Sequence, residues 1–326
     1  MTFLIDHSSD LIRWSLAFVL AFAMSYDGYR RKSLSTSGAA AAFSVGFLAF
    51  GASYRSGFIL ILFYLTGSKL TKYGKQIKLR LEADYTISSQ RGAIQVFANS
   101  LLASIVCIFS ILMLHTTDSD DIRFHTDTFN ITNTIEILSR GMTNELQLQS
   151  DKEFFGSILS CLYISHYACA TADTWASELG ILSKEQPRLV TTLFLRKVPH
   201  GTNGGMSILG TIASGLGGAF IGLVHVCFRY PGAGYNLMDH VGVVAFGACC
   251  GIIGSLFDSI LGATVQASYY SKEKKCIVKE FDTNDESIEH ICGVDLLSNE
   301  AVNVVSILMT MIFSVTVGPY MMMQLE

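Results

Sequence analysis

Eight long apolar runs are the feature that most constrains the fold of this chain of 326 residues. They cover residues 11–27, 38–53, 56–68, 93–114, 154–172, 206–226, 241–267 and 301–323. Half of all residues are hydrophobic, 15% are charged, and the mean hydropathy is +0.41. Such runs are typical of membrane helices, because a backbone in hydrocarbon must satisfy its own hydrogen bonds. We therefore expect an all-α polytopic integral membrane protein, a single membrane domain over residues 1–326 with a bundle of about eight transmembrane helices.

The second and third runs are short and are separated only by Tyr54 and Arg55, so a tight hairpin and one long broken helix are both open. Loop charge favours the hairpin, because cytosolic loops carry an excess of Lys and Arg. With eight spans, one side of the membrane holds 17 of the chain's 23 Lys and Arg residues, in the loops 28–37, 68–92, 173–205 and 268–300. We expect these loops in the cytosol.

Two longer polar segments interrupt the apolar runs. Residues 115–153 contain eight Asp and Glu against three Lys and Arg, with a glycosylation sequon at Asn130, and we interpret them as an acidic lumenal loop. Residues 268–300 are interpreted as a cytosolic charged loop. No small-residue cleavage site follows the first run, which indicates a retained span. We expect the endoplasmic reticulum or another endomembrane as the location.

Two carboxylates stand directly after the fifth run, in the stretch Asp173-Thr174-Trp175-Ala176-Ser177-Glu178-Leu179-Gly180. Charge at the mouth of a membrane helix is costly and is therefore usually functional. Glu178 lies two residues before Gly180, a predicted C-terminal cap, where the helix dipole disfavours an anion. This position suggests a cation partner. The alternative is that Asp173 caps a surface helix and that Glu178 is simply solvated.

A third carboxylate, Asp258, lies inside the seventh run. Gly254, Gly262 and Gln266 share its face of the helix, because the four residues recur every four positions. The two glycines leave space beside the carboxylate for a backbone or a ligand. A protonated Asp258 that donates an interhelical hydrogen bond is the alternative.

Two further polar stripes enter the membrane from the same predicted side. Arg91, Gln95 and Asn99 share a face of the fourth run, and Asn299 and Asn303 open the last one. A single buried amide is more often a packing contact between helices than a ligand. Three stripes at the same level favour a shared, cytosol-facing polar cavity.

Cations and a glycine turn lie in the same set of loops. Glycines just before a helix, as in Gly201-Thr202-Asn203-Gly204-Gly205, allow backbone N–H groups to converge on an anion, although a plain turn is also common. Arg188, Arg196 and Lys197 precede this turn. Lysines at positions 69, 72, 75 and 78 add a basic face, part of which can meet anionic lipid head groups.

Carboxylates for Mg²⁺, with cations and amides for phosphate oxygens, are what phosphoryl transfer requires. A site half inside the bilayer suits an acceptor with a polar head and an apolar tail. We therefore assign Asp173, Glu178 and Asp258 to catalysis and to the metal. Nucleotide or phosphate binding is assigned to Lys69, Lys75, Arg91, Lys197, Gly201, Thr202, Asn203, Gly204 and Gly205. Substrate binding is assigned to Ser37, Gln95, Asn99, Ser177, Gln266 and Asn303.

Several motifs in chain order resemble the transmembrane protein 19 family, also catalogued as domain of unknown function 92. They are Arg31-x-x-x-Ser35-x-Ser37-Gly38-Ala39, the lysines at 69–78, Gln95-Val96-x-x-Asn99, residues 172–180, the glycine turn 201–205 and Gly254-Ser255-x-x-Asp258-Ser259-x-x-Gly262-Ala263-x-x-Gln266. The plant relative is a phytyl-phosphate kinase, and related membrane kinases of isoprenoid alcohols use CTP. The resemblance implies a CTP-dependent kinase that converts a polyprenyl-type monophosphate to the diphosphate. Mg²⁺ is expected as cofactor from the carboxylates themselves.

The main alternative is a transporter of an anionic or cation-coupled solute, in which the same cavity has alternating access and Asp258 binds H⁺ or Na⁺. A non-catalytic scaffold would leave three aligned polar stripes unexplained. We expect a lipid phosphate and the membrane as partners, no nucleic acid, and leave open whether the chain forms a homo-oligomer.

Overall fold

The computed structural model describes residues 2–74, 77–78, 90–120, 131–193, 196–228, 237–278 and 285–323. This part of the chain is mostly helical. Its helices are α1 (Thr2–Arg30), α2 (Thr36–Ala52), α3 (Tyr54–Lys72), α4 (Ala93–Ala98), α5 (Leu101–Asp120), α6 (Ile131–Gly180), α7 (Ile208–Cys227), α8 (Leu237–Val265) and α9 (Asn299–Met323). Each apolar run coincides with helix, and the fourth run is divided at Asn99 and Ser100.

Three helical segments are long and apolar enough to cross a membrane, namely Ile208–Cys227, His240–Val265 and Asn299–Thr316. Thr36–Ala52 and Leu101–Met113 are shorter apolar helices within the described residues. The expectation of a mostly helical membrane architecture is confirmed. The count of eight spans and the side to which the polar ends face stay predictions.

The second and third runs form a tight hairpin. Ser53 alone separates α2 from α3, in an extended conformation with φ −164°. Its N–H donates to the Ala49 carbonyl of the first helix, and its hydroxyl accepts from the Ser56 N–H of the second. One residue therefore caps both helices. The chain reverses here, so that Gly38 and Gly67, at the far ends of the two helices, both contact Arg91.

The described parts of the predicted loop 115–153 are helical, and its lumenal position stays a prediction. Helix α5 continues to Asp120 and α6 begins at Ile131. The segment 131–153 contains no proline and several good helix formers, so the helix extends beyond its apolar part. Asn130 of the sequon lies outside the described residues.

Helices α6 to α9 form the packed centre of the protein. Glycines let α7 and α8 approach backbone to backbone: a Cβ at Gly218 would collide with the carbonyl oxygen of Gly247. A Cβ at Gly222 would lie 2.7 Å from the carbonyl oxygen of Val243. Small residues give membrane helices this close contact where lipid supplies no hydrophobic force between them.

The fold is not all-α, because residues 268–300 carry a small antiparallel sheet. Its strands are β3 (Ser268–Ser271), β4 (Cys276–Val278) and β5 (Ile288–Cys292), in the order β4-β3-β5. A second ladder pairs β1 (Arg188–Leu189) with β2 (Gly205–Met206). Tyr, Ile and Val dominate the short strands, as the pleated backbone prefers. A separate apolar cluster joins the two ladders to the end of α8, and it includes Leu189, Val198, Ala263 and Ile291.

Candidate functional site

The centre of the site is a pair of aspartates from two neighbouring helices. Helix α6 supplies Asp173, helix α8 supplies Asp258, and their carboxyl groups lie within hydrogen-bonding range of each other. The hydroxyl of Ser306 on α9 donates to Asp258 Oδ2 over 3.2 Å. Both aspartate residues are half-buried. Two carboxylates in contact repel each other, which makes a shared proton or a bound cation necessary.

Helix packing holds this pair in register. Gly254 was expected to leave space beside Asp258. Two side chains, one from α6 and one from α9, fill that space. A Cβ at Gly254 would lie 2.5 Å from Cys169 Sγ and 2.9 Å from Thr310 Oγ1. Gly254 therefore serves close packing of α8 on its neighbours, and this packing brings the two carboxyl groups together.

Glu178 has a different environment, five residues further along α6. It forms an ion pair with Lys78, whose side chain is 1% exposed. The Thr71 hydroxyl donates to Glu178 Oε1 over 2.8 Å, and Lys78 Nζ also donates to the Leu70 carbonyl over 2.9 Å. The cation partner that the sequence suggested for Glu178 is thus Lys78.

The predicted metal set of Asp173, Glu178 and Asp258 is not brought together. Among the described residues, no group of three His, Cys, Asp or Glu side chains is placed to hold a metal ion. Five helical positions rotate a side chain by about 140° and shift it by about 7.5 Å, so Glu178 points away from the pair. Asp173 and Asp258 alone still fit Mg²⁺, which is often held by one or two carboxylates together with water and phosphate oxygens.

A hydrogen-bonded path connects the aspartate pair to α4. Ser306 Oγ also approaches the Asn303 carbonyl at 3.1 Å, and Asn303 Nδ2 donates to Asn99 Oδ1 over 3.4 Å. His166 Nε2 lies 2.9 Å from the backbone oxygen of Asn99. The two polar stripes predicted on the fourth and last runs therefore meet through Asn99 and Asn303.

A cavity of about 80 Å³ lies on the other side of α4. Its polar side is formed by Arg91, Gln95 and Asn99, which follow one another along the chain from Arg91 into α4, and Ser25 and Ser100 are the other polar lining residues. The remainder is almost entirely apolar and belongs to α1, α2 and α3. Its wall includes Leu20, Ala21, Met24, Leu34, Ala42, Val45, Gly46, Phe50, Leu60, Ile61, Phe63 and Tyr64. The cavity is thus amphipathic along its length.

Arg91 is held at the polar end by backbone pairing. Its N–H donates to the Ser33 carbonyl, and its carbonyl accepts from the Ser35 N–H, each over 3.0 Å. The guanidinium lies over the Tyr64 ring at 6.0 Å from the centroid. Burial lowers the pKa of Arg91, while Tyr64 and Glu178 act in the opposite direction. An arginine remains charged at neutral pH even so.

In the predicted phosphate cradle, three backbone N–H groups of the glycine turn already have partners within the protein. Its N–H groups at Thr202, Asn203 and Gly205 donate to the Pro199 carbonyl, the Ser268 hydroxyl and the Thr202 carbonyl. Gly204 adopts φ 72°, which favours glycine, and a Cβ there would overlap α8. These glycines allow the turn to pack on α8 and on the sheet. Burial lowers the pKa of the adjacent His200, so its imidazole adds no positive charge at neutral pH.

The other predicted residues are dispersed. Lys69, Lys197, Ser37 and Ser177 are exposed, and Lys75 lies outside the described residues. Gln266 is buried, and its Oε1 would lie 3.2 Å from a Cβ at Gly262. A Cβ there would also be 3.2 Å from the Gly204 N–H, which places Gln266 beside the glycine turn and about 12 Å along α8 from Asp258.

Two partners of the carboxylates were missed by sequence reasoning. Lys78 stood in the predicted basic face, but nothing distinguished it from Lys75. Ser306 was not considered, although Asn303, Ser306 and Thr310 recur at helical spacing and share one face of α9. Hydroxyls that follow a polar amide along an apolar helix were the signal that could have identified this face.

Comparisons with known proteins agree with the resemblance found in the motifs. The profile of the family described as "Integral membrane protein DUF92" matches residues 19–311. The chain is 34% identical over 307 residues to Protein PGR of Arabidopsis thaliana, which covers 93% of this chain and 95% of that protein. It is 23% identical over 267 residues to an uncharacterized membrane protein of Synechocystis, over 79% of this chain and 85% of that protein.

A shorter match, 46% identical over 101 residues, relates 31% of the chain to 38% of an uncharacterized membrane protein of Methanocaldococcus jannaschii. No solved structure matches the chain. A family profile that covers most of the sequence, together with a relative that aligns almost end to end, establishes membership. The chain belongs to the DUF92 family of integral membrane proteins.

Proposed function

We propose that this protein is a membrane-embedded, nucleotide-dependent kinase that phosphorylates an isoprenoid or other lipid monophosphate to the diphosphate, with Mg²⁺ and with CTP as donor. The observation that carries the proposal is the contact between Asp173 and Asp258, because two hard carboxylates in contact suit a divalent cation. The choice of CTP rests on the resemblance of the motifs. We place the site on the cytosolic face of the endoplasmic reticulum or another endomembrane.

Asp173 and Asp258 would hold Mg²⁺, which would supply charge neutralisation for phosphate oxygens. The Ser306 hydroxyl fixes the position of Asp258 by donating to Oδ2. No protein nucleophile is required, since an acceptor phosphate is already ionised at neutral pH. The work of the protein is then positioning and electrostatic stabilisation, on which phosphoryl transfer chiefly depends.

The cations near the pair suit two anionic substrates. Arg91 lies close to α3 and α6: a Cβ at Gly67 would be 3.3 Å from its guanidinium and 3.4 Å from the methyl group of Thr174. Thr174 directly follows Asp173, so Arg91 lies beside the turn of α6 that carries this aspartate. Lys78 offsets Glu178, which leaves Arg91 as a net positive charge there. We assign Arg91 to the acceptor phosphate and the exposed Lys69 and Lys197 to the nucleotide phosphates.

The test is direct. Purified protein in detergent is incubated with Mg²⁺, with each nucleoside triphosphate in turn, and with geranylgeranyl or phytyl monophosphate. The proposal predicts the lipid diphosphate and the nucleoside diphosphate in equal amounts, and none of either product when EDTA is present. Absence of the lipid diphosphate with every nucleotide and both acceptors would contradict it.

A transporter remains the second candidate because buried hydroxyls continue along the bundle beyond the aspartate pair. Thr310 and Ser314 on α9 are fully buried, and the Ser165 hydroxyl donates to Ser314 Oγ over 2.9 Å. Such a column is what a cation-coupled or anion path would use. Reconstituted vesicles distinguish the two candidates. Uptake of an alkyl phosphate or of Na⁺ without nucleotide would favour transport, and diphosphate formation without uptake favours the kinase.

A further inference from the structure

The amphipathic cavity between α1, α2 and α3 is adjacent to the aspartate pair but is made from different helices. Its polar end lies at Arg91 and Gln95, and its apolar end is closed by Phe50, which is 1% exposed. Ala42 and Phe50 both line it and are eight residues apart on α2, so the apolar part is about 12 Å deep. The wall that α1, α2 and α3 contribute is aliphatic and aromatic apart from Ser25.

Charge at the polar end indicates what kind of molecule the cavity can take. Among the residues that the structure describes, no carboxylate lies within 4 Å of the Arg91 guanidinium as an ion-pair partner. Gln95 follows Arg91 at the start of α4 and adds an amide group to the cavity lining. A planar guanidinium with neighbouring amides suits a phosphate monoester, whose oxygens accept several hydrogen bonds.

We propose that this cavity is a chain-binding site, in which a single-chain amphiphile places its anionic head at Arg91 and its apolar chain between α1, α2 and α3. The inference rests on the proposed function in one respect: the anionic head group is assumed to be a phosphate monoester. It adds that chain selection is made by α1 to α3, away from the aspartates. Ala21, Ala42 and Gly46, where the wall has its smallest side chains, set the width available to the chain.

The first experiment measures binding, independently of turnover. Protein in nanodiscs is titrated with n-decyl phosphate, n-decanol and inorganic phosphate. Decyl phosphate should bind at least tenfold more tightly than either of the others, because only it occupies both ends. Arg91→Gln should bring decyl phosphate to the affinity of decanol. Equal affinity of decanol and decyl phosphate in the wild type would show that the cavity takes any lipid chain, and would overturn the proposal.

A matched pair of variants tests the cavity itself. Ala42→Leu fills it and should weaken decyl phosphate binding at least fivefold, whereas Ala40→Leu, on an exposed face of the same helix, should not change it. Thermal stability is measured for both. Unchanged affinity in a folded Ala42→Leu protein would contradict the proposal.

A second measurement on the wild type does not depend on any variant being folded. A decyl phosphate with a diazirine at the end of its chain is photolysed in the complex, and the labelled peptides are mapped. Labels on α1, α2 or α3 support the inference, and labels on α7, α8 or α9 overturn it. Labelling of α1 to α3 without kinase turnover would support this site and contradict the proposed function. Kinase turnover with labels only outside α1 to α3 would support the proposed function and contradict this site.

Discussion

Asp173 and Glu178 lie five residues apart on the same helix, yet they have opposite surroundings. Glu178 is neutralised by a buried lysine and receives a hydroxyl hydrogen bond, so both of its oxygens are engaged. Asp173 contacts a second carboxyl group, and among the described residues no cation forms an ion pair with it. A neutralised carboxylate stabilises a fold, whereas two carboxylates in contact destabilise it unless a proton or a cation intervenes. The difference distinguishes a structural ion pair from a candidate functional site on one helix.

The largest expected effect is on turnover at the aspartate pair. Asp173→Asn and Asp258→Asn should each reduce Mg²⁺-dependent diphosphate formation by at least roughly 100-fold, because an amide keeps the size but loses the charge that holds the metal. Both variants should be at least as thermally stable as wild type, since Asn removes a repulsive contact. Activity is compared at matched stability. Near wild-type rates in both variants would remove the metal-site account.

The next largest effect is on stability at the other carboxylate. Glu178→Gln leaves Lys78 as a buried charge without its anion and should destabilise the protein by about 3 kcal/mol. The double variant Glu178→Gln/Lys78→Met should recover part of this loss. Thermal unfolding of wild type, Glu178→Gln, Lys78→Met and the double variant would measure the recovery. If Glu178→Gln instead abolished turnover with unchanged melting temperature, Glu178 would belong to the catalytic set after all.

These two residues also show what the sequence could and could not predict. The apolar runs predicted helix correctly, and the four-residue spacing of Gly254, Asp258 and Gln266 predicted a shared face, because both depend only on local periodicity. Glu178 was predicted to need a cation from its place near a helix C-terminus. Its partner was not identified, because Lys78 is 100 positions away in a segment with several lysines.

The sheet and the packing role of the glycine turn were not predicted, for related reasons. Strands of three to five residues between charged loops give too short a pattern to detect, and the pairing of β3 with β5 is not local. A glycine before a helix can free its backbone N–H for an anion or can allow close packing. The positions of Ser268 and α8 distinguish these two roles. In this protein the glycines allow the turn to pack closely on both.

A smaller effect is expected at the hydroxyl that orients Asp258. Ser306→Ala removes its hydrogen bond to Oδ2 and should slow turnover by roughly tenfold, as expected for about 1.4 kcal/mol from a hydrogen bond to a charged group. Thr316→Ala is the matched control, because that hydroxyl bonds only to the Phe313 carbonyl of its own helix. Equal rates in the two variants would mean that Ser306 does not position the carboxylate.

A further prediction concerns acceptor binding. Gln95→Leu removes an amide from the polar end of the cavity and should raise KM for the lipid phosphate about fivefold, corresponding to roughly 1 kcal/mol, with kcat little changed. Steady-state kinetics with varied acceptor would measure this split. A fall in kcat with constant KM would place Gln95 in the chemical step instead.

The smallest effect is expected at Ser177, which lies between the two carboxylates on α6. Its side chain is exposed, and its hydroxyl donates to the Thr174 carbonyl of the same helix. Ser177→Ala should change stability by less than about 0.5 kcal/mol and leave turnover near wild type. A loss of tenfold or more in turnover would support the prediction from the sequence that Ser177 binds the substrate.

The central claim is that the aspartate pair, and not Glu178, binds the divalent cation, and metal binding tests it most directly. Mn²⁺ serves as a paramagnetic substitute for Mg²⁺, and its bound fraction is measured by electron paramagnetic resonance in wild type, Asp173→Asn, Asp258→Asn and Ser177→Ala. The account predicts one bound ion per chain in wild type and Ser177→Ala, with affinity at least tenfold weaker in both Asn variants. The same Mn²⁺ binding in all four proteins would contradict it.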